Sequence, residues 1–122
     1  MYALTSKMKS DLQSIGKGYV FQADIQHLDL VYGGEFETTF YHTDTPISLE
    51  ELIESIINAV ANQLEIDSCT WDFSMETLYS DILSELQFDD KTAFGECAVF
   101  FIESNGAEGQ YYIIIKGEKS NK

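Results

Sequence analysis

Between positions 49 and 64 an apolar residue returns every third or fourth place. Leu49, Leu52, Ile53, Ile56, Ile57, Val60 and Leu64 fall on one face of a helix. Ser48 and Glu51 form a capping box at its start, with Ile47 and Leu52 placed as a hydrophobic staple. A second stripe, Met75, Leu78, Tyr79, Ile82, Leu83 and Leu86, predicts a helix over 75–86 with Ser74 as N-cap. A third and shorter one, Leu4, Met8, Leu12 and Ile15, predicts a helix over 5–15, capped by Thr5 or Ser6 and ended by Gly16.

Elsewhere the period is two. From Tyr19 to Tyr32, Phe21, Ala23 and Ile25 share one face, whereas Leu28, Leu30 and Tyr32 are in the other phase. That phase change predicts a bulge near Gln26 and His27. Gly33-Gly34 suits a two-residue hairpin turn, and Glu35 to His42 returns as the partner strand. Ser68 to Phe73 reads as a short strand. Cys97–Glu103 and Gln110–Lys116, joined through Asn105-Gly106, read as two apolar strands in the middle of a sheet, covered at least in part on both faces. The order is α-β-β-α-(β)-α-β-β. It predicts one two-layer α+β domain over residues 1–117, an antiparallel sheet of four or five strands packed with two to three helices, and a flexible tail over 118–122.

Composition sharpens this picture. With 122 residues and 44% hydrophobic content the chain can bury a core without disulfides or metal. The N-terminal residues contain no apolar h-region and no apolar run exceeds six residues, which predicts a cytoplasmic protein rather than a secreted or membrane one. Cys69 and Cys97 lack CxxC spacing and read as two free, partly buried thiols.

Charge is the least ordinary property. The formal net charge is −14, arginine is absent, and no lysine occurs between Lys17 and Lys91. Sixteen acids fall in that interval, against five acids and seven lysines in the two ends. Such a surface repels nucleic acid and anionic membranes, and it selects a basic protein as partner. Glu50, Glu51 and Glu54 have a local reason, since carboxylates favour a helix N-terminus. Glu65, Asp67, Asp72, Glu76, Asp81, Glu85, Asp89 and Asp90 do not share it, and around Trp71 they form the candidate partner-binding surface.

Catalytic motifs are lacking. His27 and His42 are the only histidines; the Gly33-Gly34 turn would set His27 opposite Phe40, with His42 and Asp29 on the same face, yet no third histidine or HExxH accompanies them. There is no GxSxG and no phosphate-binding glycine loop, and thiols in apolar strands have raised pKa values. No metal or other cofactor is called for. The chain therefore reads as a non-enzymatic inhibitor of a basic partner. In size and composition it is similar to bacterial immunity proteins and antitoxins that neutralise nuclease toxins, whose cationic clefts an acidic protein can cover. The alternatives are a phage or plasmid DNA mimic acting against restriction or CRISPR machinery, and an acidic secretion chaperone.

Overall fold

The long apolar stripe forms the helix that organises the molecule. The computed structural model describes residues 1–29, 37–67 and 74–120. In chain order the elements are α1 (Ser6–Ile15), β1 (Tyr19–Asp29), β2 (Glu37–His42), α2 (Leu49–Ile66), α3 (Met75–Glu85), β3 (Gln87–Phe88), β4 (Thr92–Ile102) and β5 (Glu108–Lys119). All three helices begin at the predicted caps. Thr5, Ser48 and Ser74 each accept a backbone N–H three residues on, from Met8, Glu51 and Thr77. This satisfies amide groups that the first helical turn leaves without partners.

The five strands form one antiparallel sheet in the order β2-β1-β5-β4-β3, as an α+β domain requires. Odd-numbered residues of β1, β4 and β5 point inward. Phe21, Ala23 and Ile25, then Ala93, Val99 and Phe101, then Tyr111, Ile113 and Ile115 are buried against all seven stripe residues of α2, with Leu12 of α1 and Leu78 and Ile82 of α3. Two aromatic rings need a glycine across the strand boundary. A Cβ at Gly117 would stand 2.6 Å from the Phe21 ring, and one at Gly109 would stand 2.6 Å from Phe101.

The even-numbered face is different. Phe100, Phe94 and Ile102 are 60%, 45% and 43% exposed, and no helix among the described residues covers them. For β4 the expectation of at least partial cover on both faces is thus corrected, whereas the outward Gln110, Tyr112 and Ile114 of β5 are half-buried. Reading 97–103 as an unbroken apolar run hid an alternation that extends over the whole of β4, from Thr92 to Ile102.

The predicted bulge is present, between Ile25 and Gln26, and it changes the pairing of the histidines. Asp24 pairs with His42 and His27 with Thr38, so the histidines lie on opposite faces rather than on one, and His27 is not opposite Phe40. The extra residue in the bulge lets Phe40 as well as Tyr41 pack on the core. The chain end also differs from the expected tail. β5 runs two residues past Gly117 because Tyr19 and Val20 offer it a partner strand, and Ser120 N–H donates to Gly18 O at 2.7 Å. β3, a two-residue edge strand, was not foreseen; the Gly33-Gly34 turn and the strand expected at 68–73 lie outside the described residues. No helix among the described residues is long and apolar enough to cross a membrane.

Because Ile56 is fully buried between helix and sheet, Ile56→Ala is expected to cost about 3 kcal/mol of folding free energy. Urea unfolding followed by circular dichroism checks this, and a loss below about 1 kcal/mol contradicts the packing described.

Candidate functional site

α3 carries negative charge to the sheet's edge. Leu78, Tyr79 and Ile82 hold its inner side against the core, which leaves Asp81 and Glu85, one turn apart, on the exposed side. Its C-terminal end packs on β4 at Gly95, where an added Cβ would meet the Glu85 carbonyl oxygen at 3.2 Å. Next to this contact an open groove of about 410 Å³ runs between helix and strand. Asp81, Ser84 and Glu85 line one wall; Glu96, Cys97, Ala98 and Phe100 of β4 and Tyr112 of β5 line the other.

Three carboxylates and two aromatic rings therefore share one groove, and no basic side chain among the described residues lines it. The titration of its neighbours registers the field. Burial, reinforced by Asp81 and Glu85, pushes the Cys97 thiol up to about 11, so it is protonated at neutral pH and a poor nucleophile. The Tyr112 phenol is also raised, first by its hydrogen bond to Glu96 and then by desolvation and the Glu96 charge. Cys97 is a free thiol, and Cys69 lies outside the described residues.

The other acids singled out in the sequence are dispersed. Asp67 caps the end of α2 and is turned inward. Its carboxylate accepts from Tyr111 Oη at 2.7 Å and from Gln63 Nε2 at 3.1 Å, and it stands 3.5 Å from His27 Nδ1. Glu76 accepts from Ser74 Oγ at 3.3 Å in the first turn of α3. Asp89 and Asp90 flank a separate hollow where Lys91 and Lys119 offset them. Glu65 lies beside Met1 and Tyr2 on the far side of α2. Trp71 and Asp72 are outside the described residues. Of the predicted set, the structure brings together Asp81 and Glu85, and it adds Glu96, Phe100 and Tyr112. The sequence signal for these additions was the period-two pattern of β4, in which Glu96 and Phe100 occupy outward positions.

Neither histidine belongs to a group of metal-holding side chains among the described residues. His27 sits on the inner face, edge-on to Phe101 and Tyr111, with Nε2 3.3 Å from Glu103 Oε1 but not aligned for a hydrogen bond. The two carboxylates approach different ring nitrogens, and no group of three potential ligands converges on one point among the described residues. His42, on the outer face, hydrogen-bonds Asp24 through Nδ1 and lies 3.9 Å from Asp44. Compared with protein-family models, curated proteins and solved structures, the chain matches none of them.

The hydrogen bond that His42 donates to Asp24, against a smaller opposing desolvation and helped by the charges of Asp24 and Asp44, raises the His42 pKa above its ordinary 6.5. The charged form is therefore favoured on folding. Its contribution is complete below 6.5 and is lost as pH rises through the higher folded value. NMR titration of His42 is expected to give a midpoint above 6.5 that falls in Asp24→Asn; an unchanged midpoint contradicts the pairing. Tyr111→Phe, which removes a buried donor from the Asp67 carboxylate, is expected to cost about 1.5 kcal/mol in urea unfolding.

Proposed function

We propose that this protein is a non-enzymatic acidic binding protein that inhibits a basic partner, as a cytoplasmic immunity protein or antitoxin against a nuclease toxin would. The observation that carries the reading is the groove between α3 and β4, where Asp81, Glu85 and Glu96 surround exposed Phe100 and half-buried Tyr112, with no basic side chain among the described residues that line it. Aromatic contact area inside a charged rim is the composition of a protein-binding surface. Nucleic-acid enzymes hold phosphates with clustered Lys and Arg, and those clusters are complementary to such a rim.

Several acids that a DNA mimic would need are engaged within the protein. Glu54 accepts from Leu4 N–H at 3.0 Å, Glu50 accepts from Gln13 at 2.6 Å, and Asp67 is turned toward the core. Acids engaged in this way are not free to act as phosphate substitutes, which favours a single cognate partner over general mimicry. The exposed apolar residues of the outer sheet face, Phe94, Phe100 and Ile102, favour a second reading, an acidic chaperone for a secreted basic protein.

Glu85 also works against its own helix. It stands in the last turn of α3, where a negative charge opposes the helix dipole and no basic residue offsets it. Glu85→Gln is thus expected to raise the stability of the free protein by up to about 0.5 kcal/mol while slowing association with the partner. The decisive experiment captures the cellular partner on immobilised protein and follows association of the two purified proteins by stopped flow. Expected are a basic partner whose nuclease activity is suppressed in the complex, and an association rate that falls roughly tenfold from low salt to about 0.5 M. The triple variant Asp81→Asn, Glu85→Gln, Glu96→Gln should associate slowly at every salt concentration. A salt-independent rate, or a triple variant that associates like the wild type, contradicts the proposal.

A further inference from the structure

The groove borders a strand whose outer edge is unpaired over most of its length among the described residues. β3 pairs with Ala93 and Phe94, and beyond that point the described residues give β4 a neighbour on the β5 side alone. Two hydrogen bonds fix which backbone groups face outward. Glu103 N–H donates to Ala107 O at 2.8 Å in the turn to β5, so odd-numbered residues of β4 direct their N–H and C=O toward β5. Asp89 N–H donates to Thr92 O at 2.7 Å in the turn from β3, so even-numbered residues direct theirs to the other edge. The N–H and C=O groups of Glu96, Ala98, Phe100 and Ile102 consequently face outward, and no strand or backbone hydrogen bond reaches them among the described residues.

We infer that this edge receives an extended basic segment of the partner by strand addition. The inference rests on the acidic-groove reading above and specifies its geometry. From Glu96 to Ile102 the edge is about 20 Å long, enough for a segment of roughly seven residues. A strand added there passes beside Asp81 and Glu85 of α3 and beside Glu96, the residues that line the groove. Its main chain satisfies the four outward-facing residues, and alternate Lys or Arg side chains reach Asp81 and Glu85 of α3. Its remaining side chains lie on the outer face beside Glu96 and cover Phe100, which is otherwise 60% exposed. Natural edges are commonly blunted with lysine, proline or a bulge; β4 from Glu96 to Ile102 contains no lysine or proline and keeps an unbroken register with β5. Charge also selects the occupant. Antiparallel pairing of β4 with a second copy would bring two sets of Asp81, Glu85 and Glu96 together, whereas a cationic segment neutralises one.

The probe is a fluorescein-labelled ten-residue peptide of alternating Lys and Val with blocked ends, titrated by anisotropy. Saturable binding is expected, with amide-exchange protection gained at Glu96, Ala98, Phe100 and Ile102, and no binding of the matching Glu-Val peptide. Ala98→Pro removes an edge-facing N–H without breaking the ladder to β5, since proline is tolerated at such positions. It should weaken binding roughly tenfold. The Lys-Val peptide carrying N-methyl groups on alternate amides should lose as much against the wild-type protein, independently of how the proline variant folds. Absence of saturable binding overturns strand addition, as do full affinity of the N-methylated peptide and protection of the same four amides by self-association without peptide. If the triple carboxylate variant loses binding while both backbone tests leave it intact, strand addition is wrong and the acidic groove stands. A triple variant that binds like the wild type overturns both.

Discussion

Everything in this fold depends on the packing of α2 on one face of the sheet. Its seven stripe residues are buried against inward-pointing residues of β1, β4 and β5, and α1 and α3 fill the flanks. One layer of helices can cover only one face of a sheet. The same packing that holds the domain together therefore leaves the even-numbered side chains of β4 and β5 outside it. It also fixes α3 along the edge of β4, where the inward Leu78 and Ile82 force Asp81 and Glu85 outward. The candidate surface is a geometric consequence of how the core is built.

The large negative charge separates into parts with different physical standing. Glu50, Glu54, Asp67 and Glu76 accept hydrogen bonds from neighbouring groups of the protein. Asp89 and Asp90 share their hollow with two lysines. Glu96 accepts from the Tyr112 phenol, but Asp81 and Glu85 have neither kind of compensation among the described residues that line the groove, and Glu85 in addition opposes its helix dipole. Self-repulsion of this kind lowers stability unless something outside the chain relieves it. That contrast connects the electrostatics of the fold to the proposal of a cationic partner.

Much of the architecture was legible in the sequence because local signals agreed with the global fold. Ser48 with Glu51, Ser74 and Thr5 marked the helix starts, and the phase change after Ile25 marked the bulge. Signals that require long-range geometry were not legible. A sequence pattern locates a bulge but not how it redistributes pairing, so the register of His27 and His42 came out wrong. Asp67 looked like a surface acid because its partners His27 and Tyr111 are 40 and 44 residues away. Glu96 was passed over because it stands outside the interval free of basic residues, although the alternation of β4 placed it beside Phe94, Ala98 and Phe100 on the outer face. The groove exists only once α3 is folded back along β4, a relation that no local pattern encodes.

The proposed partner would lie on α3 and the outward edge of β4. The most direct measurement is amide hydrogen exchange of this protein alone and saturated with its captured partner. Added protection concentrated in Asp81–Glu85 and Glu96–Ile102, with the first turns of α2 and the hollow beside Asp89 unchanged, is the result the account predicts. Protection centred on α2 or on the Asp89–Lys119 hollow, with the β4 edge exchanging as in the free protein, would contradict it.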